Sequence, residues 1–179
     1  MKIEKFKIGD FLNTIQLRLD FAFYTLHFDF WTESIFMPEF FEPKIIALVC
    51  TYCTYTAADM AGSMRLQYPS FVRIVKYLCT GNIDIQHILK GFEKGADAIL
   101  VGGWEIGDCH FLEGNLRAKE RVEYTKELLK EIGLESDRLE MFHIGASDAP
   151  AWARAVTEMT ERAKNLGPNP LKKIFRISE

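Results

Sequence analysis

The sequence predicts an α/β protein with an open, mainly parallel sheet of about four strands, helices on both faces and an N-terminal extension. Two observations support this prediction. Between residues 43 and 167, short apolar segments typical of strands alternate four times with longer segments typical of amphipathic helices. The residues before this region have a different pattern, in which apolar side chains recur at every second position. We expect the crossovers between the parallel strands to be right-handed.

The first strand–helix unit begins with the apolar segment Lys44–Val49, which we predict to be a strand ending at Cys50. A helix is predicted from about Ala57 to Arg65. The second strand is Phe71–Leu78, in which apolar and polar residues alternate, and it ends at Cys79.

The second helix has clear start and stop signals. Asp84 is the predicted N-cap, and Gly95 is the predicted stop. Its apolar face comprises Ile85, Ile88, Leu89 and Phe92. A third strand, Asp97–Val101, follows and runs into Gly102-Gly103.

The third helix is the longest predicted element, from about Glu113 to Ile132, and Gly133 ends it. Its predicted buried stripe comprises Ala118, Val122, Thr125, Leu129 and Ile132. Arg138–Ile144 is the fourth predicted strand.

The last helix is capped by Ser147 or Asp148 and closed by Gly167-Pro168. Its predicted buried stripe comprises Trp152, Ala155, Val156, Met159 and Ala163. These elements define an expected domain over residues 43–167.

Two flanking segments differ from this domain. Residues 1–42 form an aromatic-rich extension, whose alternating apolar residues predict extended or hairpin structure; it is interpreted either as an extra sheet or as a partner-binding arm. Residues 168–179 form a short basic and apolar tail. We expect this tail to dock on a partner protein, so that deleting it weakens complex formation.

Composition excludes several classes of function. The chain has 179 residues and a formal net charge of −3, which gives no electrostatic basis for binding nucleic acid. No apolar run approaches the ~18 residues of a membrane span, and no secretory signal follows the basic start. We therefore expect a cytoplasmic protein without membrane partners. No catalytic triad, paired-carboxylate motif or phosphate loop is recognisable, so catalysis by the chain alone is not expected.

All four cysteines of the chain follow predicted strands. Cys50 and Cys53 come after the first strand, Cys79 after the second, and Cys109 lies in the loop after the third. In open parallel sheets, functional groups gather outside the carboxyl ends of the strands. The four thiols are therefore expected to meet at one edge of the sheet, where they could bind a metal.

Residue spacing leaves several kinds of site open. Single buried cysteines would explain one or two of the four, and a redox dithiol at Cys50-Thr-Tyr-Cys53 would leave Cys79 and Cys109 unexplained. Structural zinc takes four thiolates, usually from two close pairs, whereas here the later cysteines are single. A 2Fe–2S cluster also takes four thiolates, two on each iron. Spacing alone does not decide between zinc and iron.

From about Pro43 to Gly167, the chain resembles the delta subunit of methyl-viologen-reducing hydrogenase, an iron–sulfur protein associated with heterodisulfide reductase. The matching stretches occur in the same order and include unusual residues. They are Cys50-Thr-Tyr-Cys53 with Ala58-Asp-Met-Ala-Gly62, Arg65-Leu-Gln-Tyr-Pro69, Val72-Arg-Ile74, Cys79-Thr-Gly81, Phe92-Glu-Lys-Gly-Ala-Asp97, Gly107-Asp-Cys-His110, Glu113-Gly-Asn115 and Arg121-Val-Glu123.

The resemblance implies an electron-transfer subunit that carries a 2Fe–2S cluster. It implies electron flow from a hydrogenase, or a formate dehydrogenase in its place, to the flavin-bearing subunit of a heterodisulfide reductase. Cys50, Cys53, Cys79 and Cys109 are taken as the cofactor and metal ligands; the alternative is a structural zinc-binding interaction module.

One position departs from the family pattern. Members usually carry a further cysteine where this chain has Trp104. The four remaining thiols are therefore expected all to be ligands. Three neighbouring side chains have weaker expected roles, His110 as a hydrogen-bond donor or ligand, and Tyr52 and Trp104 as shields against water.

Overall fold

A computed structural model describes residues 41–172 of the chain. Nearly all of the predicted extension, including its possible hairpin, and residues 173–179 lie outside the described part. Among residues 41–172, the strands are β1 (Ile45–Cys50), β2 (Val72–Tyr77), β3 (Ala98–Gly103) and β4 (Leu139–His143). The α-helices in the same range are α1 (Thr54–Ser63), α2 (Ile85–Glu93), α3 (Gly114–Glu131) and α4 (Ala149–Leu166). Within residues 41–172, no helix is both long and apolar enough to cross a membrane.

The four strands form one parallel sheet in the order β2-β1-β3-β4. Ile45 lies opposite Val72 on one side and Ala98 on the other, so β1 is a central strand. This order matches the first four strands of the flavodoxin-like doubly wound sheet, in which the chain changes direction between β1 and β3. The predicted α/β class with a parallel sheet is confirmed.

Helices cover both faces of the sheet, as predicted. On one face, α1 and α4 bury a cluster that includes Val49, Ala57 and Trp152. On the other face, the cluster includes Ile88 of α2 and Leu129 of α3. Apolar residues of β1 and β3 alternate between the two clusters, which explains why these central strands are almost continuously apolar.

The predicted helix signals operate as expected. Asp84 caps α2, with its side chain accepting from the N–H of Ile85. Asp148, rather than Ser147, caps α4 and accepts from the N–H of Ala151. The whole predicted stripe of α4 is buried.

Three local predictions need correction. The first helix begins at Thr54 instead of Ala57, immediately after Cys53. The third strand extends through Gly102-Gly103. Ile132 is 57% exposed because α3 ends at Glu131 and the chain turns away through Gly133, whose φ is +76°.

The first residues of the predicted tail belong to the folded domain. Asn169 is buried and donates its side-chain amide to the carbonyls of Phe92 and Ala96. Lys172 forms an ion pair with the buried carboxylate of Asp97. A deletion that starts at Pro168 would remove these contacts, so a test of partner docking by the tail has to start at residue 173.

Candidate metal centre

The four cysteines have free thiols at the carboxyl edge of the sheet. Cys50 is the last residue of β1, Cys53 precedes α1, and Cys79 follows β2 by two residues. Cys109 lies between β3 and α3. Cys50, Cys53 and Cys79 are buried, and Cys109 is half-buried. The predicted meeting of the thiols at the carboxyl edge is therefore observed, and it lies where the sheet changes direction between β1 and β3.

Cys50 and Cys53 form the first thiol pair. A hydrogen bond from the Cys53 thiol lowers the pKa of Cys50 to about 6 against the effect of burial, with help from the N–H groups of Tyr52, Cys53 and Thr80. The same interaction with Cys50, together with burial, raises the pKa of Cys53 above its usual value. Cys50 is therefore the more acidic thiol of the pair.

Cys79 and Cys109 form the second thiol pair, and Gly114 makes room for it. A Cβ atom on Gly114 would lie 2.1 Å from Cys79 Sγ and 3.4 Å from Cys109 Sγ. No side chain fits in that space without displacing a sulfur. Burial raises the pKa of Cys79; the N–H of Gly81 opposes this rise, whereas the neighbouring Cys109 and Cys50 add to it.

The two pairs are adjacent. Cys50 Sγ lies 3.6 Å from the carbonyl oxygen of Leu78, directly before Cys79. The N–H of Thr80, directly after Cys79, helps to stabilise the Cys50 thiolate. The pairs are thus held together through the Leu78–Thr80 backbone.

The glycines at the end of β3 let the thiol-bearing segments approach the sheet. A Cβ on Gly102 would lie 2.4 Å from the methyl carbon of Thr54, which follows Cys53. A Cβ on Gly103 would lie 3.1 Å from the methyl carbon of Thr80, which follows Cys79. Gly102-Gly103 therefore sets the depth of both segments.

Backbone N–H groups surround the buried sulfurs. The N–H of Gly81 donates to Cys79 Sγ at 3.4 Å. Cys53 is the N-cap of α1, and its side chain makes no capping hydrogen bond, so the positive end of α1 lies next to the first pair. Such groups favour the thiolate form that metal binding requires.

Several side chains that the sequence analysis did not single out hold the loops. The side chain of Asn115 binds the carbonyls of Trp104 and Glu105, and His143 also contacts the Trp104 carbonyl at 2.9 Å. Arg121 binds the carbonyls of Gly81 and Ile83. Asn115 and Arg121 fall in stretches that carried the family resemblance, which was the one signal pointing to them.

An aromatic stack lies beside the thiols. The His110 ring stacks on Tyr52 with ring centroids 4.6 Å apart, and Phe111 packs edge-on against both rings. The stack joins the Cys50–Cys53 segment to the Cys109 loop. All three rings are exposed, as are the apolar side chains of Ile106, Leu112 and Leu116, which lie near Cys109 in the sequence.

In the described part of the chain, no three side chains of His, Cys, Asp or Glu are grouped so as to hold one metal ion together. The thiols are instead arranged two by two. Their chemistry fits a metal centre of four thiolates, since all four thiols are free, lie at one edge of the sheet and interact within each pair.

The fold and the thiols define a class: a doubly wound α/β protein with four free cysteines gathered where its sheet changes direction. The chain belongs to the methyl-viologen-reducing hydrogenase delta subunit family, whose model matches residues 45–167. The resemblance inferred from the sequence motifs is therefore confirmed.

The chain is similar to curated iron-sulfur subunits of F420-non-reducing hydrogenases. It is 50% identical over 131 residues to the vhu iron-sulfur subunit of this hydrogenase in Methanocaldococcus jannaschii, covering 73% of this chain and 98% of the relative. It is 40% identical over 132 residues to the corresponding iron-sulfur subunit of Archaeoglobus profundus, covering 74% and 96%.

A second kind of relative is much longer. The chain is 34% identical over 126 residues to one subunit of the ferredoxin:CoB-CoM heterodisulfide reductase of Methanosarcina mazei, covering 70% of this chain and 16% of that protein. A segment like this domain is thus part of a larger polypeptide in that relative.

Proposed function

We propose that the protein is an electron-transfer subunit that carries a 2Fe–2S cluster on Cys50, Cys53, Cys79 and Cys109. The observation that supports this proposal most is that all four free thiols lie at one edge of the sheet, Cys50 and Cys53 in one short segment and Cys79 and Cys109 both beside Gly114. The hydrogenase relatives, which are named as iron-sulfur subunits, support an iron–sulfur cofactor.

The pairing, taken together with relatives that are named iron-sulfur subunits, favours a binuclear cluster over a single zinc ion. Zinc takes its four thiolates around one point, whereas a 2Fe–2S cluster takes two thiolates on each iron. One iron would be held by Cys50 and Cys53, and the other by Cys79 and Cys109. When bound, such a cluster accepts and releases single electrons.

The residues of this chain would bind the cluster, shield it and offset its charge. Burial of three of the four cysteines keeps water from most of the site. The N–H of Gly81 and the start of α1 offset negative charge on sulfur. A redox partner would approach from the side of Cys109, which is half-buried and lies close in sequence to exposed Phe111 and Leu112.

We further propose that the protein relays electrons from a hydrogenase to a heterodisulfide reductase. The hydrogenase relatives support the donor. The similarity to a segment of a heterodisulfide reductase polypeptide supports the flavin-bearing subunit of such a reductase as the acceptor. A formate dehydrogenase in place of the hydrogenase is the second donor considered, and the complex is proposed to be cytoplasmic.

Metal analysis after anaerobic purification tests the cofactor. The proposal predicts two irons and two sulfides per chain, and an electron paramagnetic resonance (EPR) signal after reduction. Stoichiometric zinc without iron or a signal would instead establish the zinc-binding interaction module. A metal-free protein that traps Cys50 or Cys53 as a mixed disulfide would establish a dithiol oxidoreductase.

Co-purification tests the relay. The tagged chain should retain hydrogenase subunits and the flavin-bearing subunit of a heterodisulfide reductase. Reduction by hydrogen of the bound cluster should require the hydrogenase subunits. A cluster-loaded chain that binds neither partner would contradict the relay while leaving the cofactor assignment intact.

A further inference from the structure

The second thiol pair joins two loops that are far apart in sequence. Cys79 lies after β2 and Cys109 after β3, whereas the first pair is built within one short Cys-Thr-Tyr-Cys segment. Local chain geometry brings Cys50 and Cys53 together. Some other element has to bring Cys79 and Cys109 together.

That element is the start of α3. Gly114, its first residue, leaves the space in which both sulfurs of the second pair lie. The same helix contacts the short 3-10 helix Thr80–Asn82 that follows Cys79. The N-terminal half of α3 therefore borders both loops.

Asn115 fixes the loop that carries Cys109. Its side chain is fully buried, and its Nδ2 donates to the carbonyl of Trp104 at 3.2 Å and to that of Glu105 at 2.6 Å. The Glu105 carbonyl also accepts from the N–H of Asp108, which closes the turn directly before Cys109. The Oδ1 atom of Asn115 accepts from the N–H of Leu116, so the amide cannot rotate without losing a bond.

Arg121 fixes the loop that carries Cys79. Its Nη1 donates to the carbonyls of Gly81 at 2.7 Å and Ile83 at 2.9 Å. Gly81 lies within the 3-10 helix whose N-cap is Cys79, and Ile83 directly follows that helix. A planar guanidinium that binds two carbonyls restrains a loop more closely than one flexible charge would.

We propose that Asn115 and Arg121 are positioning residues that hold Cys79 and Cys109 at ligand distance before any metal binds. The reason for holding these cysteines in place rests on the proposed function, whereas the contacts that hold them belong to the metal-free chain. Groups that orient metal ligands typically change metal affinity or activity by 10–100-fold when removed.

A thiol cross-linking experiment on the full-length, metal-free chain tests the inference. In a Cys50→Ser/Cys53→Ser background, Cys79 and Cys109 are the two cysteines that remain. Dibromobimane becomes fluorescent when it joins two nearby thiols, so its rate reports their proximity. We expect Asn115→Ala and Arg121→Ala each to slow the cross-link severalfold, because the loop that carries one of the two thiols loses its restraint.

Two matched controls separate positioning from general stability. Arg117→Ala removes the same charge from the same helix, but Arg117 pairs with exposed Glu113. Thr160→Val removes an equally buried side-chain hydrogen bond, from the Thr160 hydroxyl to the carbonyl of Val156, in α4 instead of α3. Both controls should cross-link at the rate of the background protein. Circular dichroism confirms that each compared variant is folded; if Asn115→Ala does not fold, Arg121→Ala alone decides the outcome.

Unchanged cross-linking in the folded Asn115→Ala and Arg121→Ala variants would overturn the inference. In chains with all four cysteines, the inference also predicts an altered EPR spectrum for these two variants and an unchanged one for the controls. If the parent chain holds no iron, the proposed function fails while the cross-linking result still stands, so the two failures can be told apart.

Discussion

The two edges of the sheet bury different kinds of side chain: charged groups at the amino edge and thiols at the carboxyl edge. At the amino edge, the fully buried carboxylate of Asp97 accepts from the N–H of Lys44 at 2.7 Å and the N–H of Asn169 at 2.8 Å, and pairs with Lys172 at 2.6 Å. Arg138, 1% exposed, donates to several backbone carbonyls there. The buried charged side chains of Asp97 and Arg138 both have hydrogen-bond partners within the chain.

At the carboxyl edge, Asn115 is also buried and hydrogen-bonded, but the four cysteines add thiols that interact mainly with one another. Thiols are weak hydrogen-bond donors, and their interactions stabilise a fold little. The sulfur of Cys79 occupies the place that a side chain at Gly114 would need. The amino edge therefore stabilises the domain through charged groups that have partners, whereas the carboxyl edge carries the four thiols on which we propose that the cluster is bound.

The largest difference between the edges should appear in stability. Asp97→Ala leaves the Lys172 charge and two N–H groups without their partner, and we expect it to lower the free energy of unfolding by about 3–5 kcal/mol. Cys79→Ser at the other edge should cost on the order of 1 kcal/mol in the metal-free chain. Urea unfolding measures both values. Equal losses would contradict the proposed division of roles.

A methyl group at the thiol edge should have the reverse effect, harming metal binding more than folding. The Cβ atom that Gly114→Ala adds would lie 2.1 Å from Cys79 Sγ, which is too close. Cys79 would have to move, so we expect the iron content to fall about tenfold or more. The control is Gly62→Ala on α1, where an added Cβ has no atom within 4 Å. It should keep its iron and gain up to about 1 kcal/mol in stability. Full iron content in Gly114→Ala would contradict the role assigned to Gly114 beside Cys79 and Cys109.

A smaller effect at the amino edge should be a loss of the free energy of unfolding in acid. A hydrogen bond from Arg138 lowers the pKa of Glu135 below its usual value. The carboxylate therefore stabilises the fold above that usual value, and this contribution is lost as the pH falls through the lowered pKa. Because Glu135 is about half exposed, we expect less than about 1 kcal/mol.

Urea unfolding of the metal-free chain between neutral pH and pH 3 measures this contribution. Glu135→Gln should remove part of the acid dependence and leave the thiols unaffected. An identical pH profile for the parent and Glu135→Gln would show that the ion pair contributes nothing.

Sequence patterns predicted the architecture and the meeting of the thiols because both depend on local periodicity and on the rule for parallel sheets. The stripe of α4 and the Asp84 cap depend on residues three or four positions apart, so they can be recognised in the sequence. Ile132 fits the same periodicity, but it lies one residue beyond the end of α3.

The contacts that complete the site could not be predicted in this way. Arg121 binds a carbonyl 40 positions away, and Asn169 binds Asp97 from 72 positions away. Nor does the sequence reveal that Gly102 accommodates Thr54 or that Gly114 accommodates two sulfurs. These relations arise when strands and helices pack, and no local pattern encodes them.

The claim that all four thiols act together is tested most directly by four single Cys→Ser variants, at positions 50, 53, 79 and 109. Each is purified anaerobically beside the parent, and its iron, sulfide and EPR signal after reduction are measured. The account predicts that every variant loses the 2Fe–2S signal and most of its iron while remaining folded. A variant that keeps the full iron content and an unchanged signal, at half-buried Cys109 above all, would contradict it.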